Sequence, residues 1–218
     1  MVTGPTDDPI WKQRAVERSL KTAKLRAAQR VQRFMDAAQS IIAEKGSTDF
    51  TVQEVVDRSG QSLRSFYLQF DGKHELLLAL FEDALARLAD QIRSAIDAEI
   101  DPLKQLKNAI ALLLELCRPG PAPGRPLFTD FAPLLMATHP AEVKIAHAPL
   151  LSLLTELMEN ASAAGELRSN VNPARMAVIT MQTVMSVAEP TGITGDSDTD
   201  PITTEELWDF LANGFVAP

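Results

Sequence analysis

The sequence predicts an all-α protein of nine or ten helices, and three observations carry that prediction. Apolar residues recur at steps of three and four along most of the chain, the period of an amphipathic helix. Where such periods begin, a polar cap often precedes proline or a capping-box glutamate. No stretch reads as a convincing strand.

The first element is the longest. Leu20, Ala23, Ala27, Val31, Phe34, Ala38 and Ile41 form one apolar stripe. Neither glycine nor proline falls between Ile10 and Lys45, so the helix is expected to run from about residue 11 until Gly46 stops it. At ~1.5 Å per residue that is about 50 Å, longer than a small domain needs. Its first third must therefore pack on something else, project along a partner, or fray.

Two short helices follow. Thr51-Val52-Gln53-Glu54 is a capping box, and Val52, Val55 and Val56 give the helix after it a buried side, ended by Ser59-Gly60. Ser62 caps a second short helix predicted through Phe70, with Phe66 and Phe70 on its inner face. Asp71-Gly72 breaks the chain before a long amphipathic helix over about 73–98. Further starts are marked by Asp101-Pro102, His139-Pro140 and Asn172-Pro173, and by a second capping box at Thr203 and Glu206. Glycine- and proline-rich loops are expected at 119–126 and 189–202.

Composition bounds the function classes. The longest apolar runs, 76–81 and 110–114, fall far short of the roughly 18 residues of a membrane span. The acidic, polar start lacks a secretory pattern, and the one cysteine, Cys117, can form no intramolecular disulfide. Both point to a reducing cytoplasm. The net charge of −8 is unevenly spread: residues 1–80 hold 12 basic and 10 acidic residues (+2), residues 81–218 hold nine and 19 (−10). Within 11–33, eight basic residues (Lys12, Arg14, Arg18, Lys21, Lys24, Arg26, Arg30, Arg33) stand against Glu17 alone. A basic head on an acidic body orients an encounter with a polyanion, although a basic stripe also serves as a plain solvated face.

Two short helices joined by a glycine-containing turn, behind a longer helix, make a helix-turn-helix unit, whose second helix can enter the DNA major groove. With Val52, Val55, Val56, Phe66 and Phe70 inward, Ser62, Arg64, Ser65, Tyr67 and Gln69 form its polar exterior. The stretches Phe34-Met35-Asp36-Ala37-Ala38-Gln39-Ser40-Ile41-Ile42-Ala43-Glu44-Lys45-Gly46, Thr51-Val52-Gln53-Glu54-Val55-Val56 and Ser59-Gly60-Gln61-Ser62-Leu63-Arg64-Ser65-Phe66-Tyr67, with Phe70 and Lys73, resemble the N-terminal domain of the tetracycline-repressor (TetR) family over about residues 31–80.

The resemblance implies a three-helix DNA-binding domain, a divergent helical ligand-binding and dimerisation domain, and repression of transcription relieved by a small molecule. By position it assigns Thr51, Tyr67 and Lys73 to backbone phosphate, and Ser62 to the recognition-helix cap. Arg64 is the candidate for base readout, because a guanidinium grips guanine through two acceptors; Ser65 and Gln69 are further candidates. Gln61 and Leu63 depart from the family's pattern. Leu63 can turn inward or meet a thymine methyl, so no operator sequence follows by analogy. The domains expected are a basic extension over 1–30, the DNA-binding domain over 31–76 and the ligand-binding and dimerisation domain over 77–218.

In the body, Leu106, Ile110, Leu113, Cys117, Phe128, Phe131, Leu135, Met136, Leu154 and Met158 are candidate pocket lining, with Met176, Ile179, Thr180 and Thr183 as a further wall. Such stripes also serve as ordinary core. Few charges share them, so an effector would be largely hydrophobic. Met176, Ile179, Met181, Met185 and Val187 surround the helix predicted over 173–188, too many faces for one stripe, which suits either a second buried surface or an entirely internal helix; with the helix over 204–215 it resembles the family's dimer-forming pair. The partners expected are an operator in double-stranded DNA, a small hydrophobic effector and a second copy of the chain.

Enzymes are poorly supported. His74, His139 and His147 share no metal-ligand spacing, no phosphate-binding loop is present, and no cofactor is implied. Asp196, Asp198 and Asp200 match a calcium loop only superficially, since Pro201 replaces its glycine and Leu207 its closing glutamate. The alternative function is a helical lipid- or metabolite-binding protein without specific DNA function, which Gln61 and Leu63 favour.

Overall fold

The computed structural model describes residues 9–118, 131–188 and 201–217. The predicted loop over 119–126, most of that over 189–202, the Asp196–Asp200 acidic stretch and Phe128 lie outside the described residues. Among the described residues there are ten helices and one isolated antiparallel bridge. They are α1 (Ile10–Lys45), α2 (Val52–Ser59), α3 (Leu63–Tyr67), α4 (Lys73–Ile96), α5 (Pro102–Cys117), α6 (Ala132–Thr138), α7 (Pro140–Ala146), α8 (Ala148–Ala163), α9 (Pro173–Ala188) and α10 (Thr204–Phe215).

The chain divides into two compact units, Met1–Leu77 and Leu78–Pro218. In the first, α1 extends over 36 residues and ends where Gly46 takes a left-handed φ of 64°, its N–H closing on the Ile42 carbonyl. The core of this unit starts only at Phe34: with Met35, Ala37, Ala38, Ile41 and Ile42, it buries one face of α1. The predicted stripe does not stay buried back to its start. Leu20 and Ala23 are exposed, and Ala27 and Val31 are half-buried. Helical period continues there because it belongs to the helix, whereas burial needs a second element, and α2 and α3 are too short to reach that far.

The Thr51 capping box forms as predicted, its hydroxyl accepting from the Glu54 N–H while the Glu54 carboxylate accepts from the Thr51 N–H. Gly60, again left-handed, closes α2. Helix α3 is shorter than expected: it ends at Tyr67, and Leu68 and Gln69 form a turn in which the Gln69 N–H closes on the Phe66 carbonyl, three residues back. That tightening turns Phe70 into the core just before the Asp71-Gly72 break.

In the second unit, α8 packs on α9 and α5, and α5 also meets α9 and α10. Leu106, Ala109, Ile110, Leu113 and Leu114 of α5 and Leu153, Leu154, Leu157 and Met158 of α8 are buried where the two helices pack, in a largely apolar interior. Asp101 caps α5 by accepting from Leu103 and Lys104 N–H groups, with Pro102 at the first helical position. The segment after α8 is tied to the end of α10: the Arg168 N–H donates to the Phe215 carbonyl and the Ala217 N–H to the Glu166 carbonyl, around the Leu167–Val216 bridge. No helix among the described residues is long and apolar enough to cross a membrane.

Candidate nucleic-acid interface

Three rings set the attitude of α3. Phe66 is fully buried and meets Phe34 edge-on, with centroids 5.3 Å apart and planes at 83°. Phe70 joins both at 5.4 and 6.3 Å. With Phe66 committed inward, Arg64 and Tyr67, two and one positions away, face out, Tyr67 being 55% exposed with its ring edge-on against Phe66. Leu63, three positions before Phe66, is nonetheless 43% exposed. Ser62 caps the helix by accepting from the Ser65 N–H at 3.1 Å. Leu63 therefore does not turn inward.

Ion pairs lock the frame behind α3. Arg58 on α2 grips Glu44 on α1 through both guanidinium arms, at 2.5 and 2.7 Å. That contact holds the Glu44 carboxyl below its usual range and raises Arg58. Lys45 donates to Glu54 at 2.6 Å and to the Asp49 carbonyl at 3.0 Å. The Lys45 ammonium, then the Thr51 backbone N–H and hydroxyl, hold Glu54 down at about 2. These pairs join residues nine and 14 apart across a turn of unpredictable path, so periodicity carried no signal for them.

The seven residues singled out in the sequence fall into two groups. Ser62, Arg64, Ser65, Tyr67 and Gln69 share α3 and its flanking turns, with Ser65 and Gln69 half-buried. Thr51 and Lys73 stand at the starts of α2 and α4, where helix N-termini offer partial positive charge. The single hydroxyl proton of Thr51 is donated to Glu54. The Lys73 ammonium lies 4.9 Å over the Phe50 ring, which positions it without neutralising it. Leu68, 71% exposed beside Tyr67, belongs to the same surface; its apolar type gave no reason to place it outside.

Residues 34–80 match the family model described as "Bacterial regulatory proteins, tetR family". Over that stretch the chain is similar to the N-terminal DNA-binding domain of the TetR family. The uncharacterized HTH-type transcriptional regulator YvdT of Bacillus subtilis (strain 168) is 30% identical over 70 residues. That stretch covers 32% of this chain and 36% of YvdT, so the likeness spans little more than a third of that relative's length. Two solved structures share the fold over most of both chains. Thermus thermophilus FadR, a TetR-family transcriptional repressor in complex with lauroyl-CoA, is 21% identical with a TM-score of 0.61, covering 83% of this chain and 91% of its own. RolR in complex with resorcinol is 16% identical with a TM-score of 0.62, covering 87% of each.

Most of the candidate lining lies inside the second unit. Leu106, Ile110, Leu113, Phe131, Leu135, Leu154, Met158 and Thr180 are buried, while Met176, Cys117 and Thr183 are half-buried. Two candidates point the other way. Met136 is exposed because it follows the inward Leu135 by one residue, about 100° around α6. Ile179 is exposed for the same reason, one residue before Thr180. On α9, Ala177, Thr180, Met181, Val184 and Ala188 face inward, leaving Met176, Ile179, Thr183 and Val187 as a second, partly open strip. Phe210 on α10 is 68% exposed.

Proposed function

We propose that this protein is a homodimeric, cytoplasmic repressor of transcription that leaves a palindromic operator when a largely hydrophobic small molecule binds its body. The observation that carries the reading is α3 itself: a Ser62-capped helix, rooted by Phe66 and Phe70, that presents Leu63, Arg64 and Tyr67 outward beside two helix N-termini.

In this reading Arg64 reads base edges, and Tyr67, Ser62 and Lys73 grip phosphate. Thr51 holds the start of α2 against the backbone, since its hydroxyl proton is already given to Glu54. Ser65 and Gln69 add contacts from the half-buried side of α3. The DNA-binding domain is taken as 31–76, behind a basic extension over 1–30, with 77–218 as the sensing and dimerising domain.

The apolar interior of α5, α6, α8 and α9 supports a hydrophobic effector, and the lauroyl-CoA and resorcinol complexes of the two fold relatives support a sensing body. The open strip on α9 and Phe210 on α10 support pairing through these helices. Two recognition helices on a two-fold axis then read two half-sites, and an effector needs only a few kcal/mol of bias toward a spacing that mismatches them.

The test is selection of bound sites from random DNA, followed by affinity measured across a salt series. A regulator yields a palindromic site whose log Kd worsens by about 0.9 per tenfold salt for each phosphate neutralised. Hydrophobic-ligand binding with no enriched DNA site would replace this reading by a helical carrier.

A further inference from the structure

The body buries a nitrogen that has no hydrogen-bond partner among the described residues. His147 stands between α7 and α8 and is 6% exposed. Its Nδ1 lies 2.7 Å from the Val143 carbonyl oxygen, one helical turn back. A carbonyl oxygen only accepts, so Nδ1 holds the proton and donates it there. In the neutral ring Nε2 is then a bare acceptor, fixed in that tautomer by the backbone. Nε2 is buried and meets no donor. Among the described residues the other buried side-chain atom in this condition, Asp83 Oδ2, lies 2.6 Å from the Arg87 guanidinium, which balances its charge.

Apolar groups flank His147. Phe81 of α4 stands edge-on to the imidazole, with centroids 5.6 Å apart and planes at 69°. Along α8, His147, Leu150, Leu154 and Met158 follow one another at steps of three and four, and all are buried. The imidazole therefore heads the same inward stripe that supplies the apolar wall. An acceptor buried without a donor carries a desolvation cost that a donor brought to it would relieve.

We propose that His147 Nε2 is the polar anchor of the effector site and accepts a hydrogen bond from a hydroxyl group, phenolic or alcoholic, on an otherwise hydrophobic molecule. This rests on the reading that the body binds a hydrophobic effector, and it adds the group that effector must carry. One acceptor in an apolar wall discriminates sharply. A donor completes it, whereas an ether or ester oxygen in the same place meets a lone pair and leaves both atoms unsatisfied. A plain acyl chain brings no donor to it.

The experiment is calorimetric titration of the full-length protein with 4-hexylphenol and 4-hexylanisole, which differ in whether the ring oxygen carries a hydrogen. The unsubstituted protein is expected to bind the phenol about tenfold more tightly. His147→Phe should abolish that difference and keep the affinity for the ether. His147→Gln, whose amide oxygen accepts from a similar position, should restore part of the preference. Equal affinities in the unsubstituted protein overturn the anchor alone, as does a phenol preference that survives His147→Phe. Binding of neither compound overturns the hydrophobic-effector reading, and the anchor with it. Nitrogen NMR of the unsubstituted protein guards against variants that fail to fold. The His147 Nε2 resonance should be that of an unprotonated nitrogen and should move with the phenol only; a resonance indifferent to the phenol overturns the anchor.

Discussion

The ring of Phe34 on α1 meets the ring of Phe66 on α3 edge-on at 5.3 Å, so the helix that presents Arg64 and Tyr67 is oriented from the C-terminal third of α1, the longest helix among the described residues. Five residues of α3 are too few to hold a helix by backbone hydrogen bonds alone. Their geometry comes from this contact, with Phe70 beside it. Phe66→Ala should destabilise the first unit by about 3–5 kcal/mol in urea unfolding, the range for emptying a buried aromatic site. DNA binding should fall with it even though Phe66 is fully buried and touches no solvent. A loss within ordinary surface scatter, about 0.5 kcal/mol, would mean that α3 is held by something else.

Glu54 ties α1 to α2 through Lys45 and Thr51, and these partners hold its carboxyl at about 2 against an ordinary 4.5. A folded value below the unfolded one means the stabilisation is whole above about 4.5 and disappears as pH falls through about 2. Glu54→Gln should therefore lower the melting temperature of the protein at pH 7. The difference from the unsubstituted chain should shrink steadily between pH 4.5 and 2. Because Glu54 is solvent-accessible, salt should also reduce the effect. A gap between the two proteins that stays constant down to pH 2 would show that the capping geometry, not the charge, matters.

Arg64 and Lys73 should separate when DNA sequence is varied. Arg64 lies on the exposed side of α3, whereas Lys73 sits at the N-terminus of α4 over Phe50. Arg64→Ala should weaken operator binding by about 1–3 kcal/mol while leaving random DNA nearly unchanged. Lys73→Ala should weaken both alike and reduce the salt slope by about 0.9. Gel-shift titrations on operator and scrambled duplexes measure both; equal losses on the two duplexes for Arg64→Ala would remove it from base readout.

Helix boundaries set by local chemistry were legible in the sequence. Both capping boxes, the Asp101-Pro102 and Asn172-Pro173 starts and the stop at Gly46 stand where residue type alone placed them. What could not be read is what depends on a second element. Leu20 and Phe34 lie on the same helical stripe, yet only Phe34 is buried, because only there do α2 and α3 reach α1. Ile179 and Met136 carry the right residue type and the wrong angle by a single step. His147 illustrates the limit for the site. Spacing excluded it as a metal ligand, but its tautomer and the isolation of Nε2 follow from the Val143 carbonyl and the Phe81 ring.

Ile179 and Phe210 are large apolar side chains left open on the two helices read as the dimer pair. A charge on either should be tolerated by the isolated fold and resisted by an interface, since a carboxylate buried there would have no partner. Phe210→Asp should raise the dimer dissociation constant at least tenfold in analytical ultracentrifugation while leaving the helical circular dichroism unchanged. Operator affinity should drop with it, because each half-site would be held by one head alone. A variant that sediments as the unsubstituted protein does would place the interface elsewhere.

The start of α1 provides the last test. From Ile10 to Arg26 every residue is exposed, and this stretch holds six basic side chains (Lys12, Arg14, Arg18, Lys21, Lys24, Arg26) against Glu17 alone. A helical stretch this long with no buried face is marginal in water, and neighbouring positive charges destabilise it further. Phosphate would remove that repulsion, so DNA should stabilise the extension as the extension strengthens DNA binding. Removing the residues before Arg30 should weaken binding to operator and random DNA alike. The salt slope should become shallower by about 0.9 for each phosphate that the shortened chain no longer neutralises. The helical signal gained when DNA is added to the full chain should also be smaller in the shortened one. If affinity, slope and helicity are the same in both proteins, the basic stretch is a solvated helix and the interface begins with the core at Phe34.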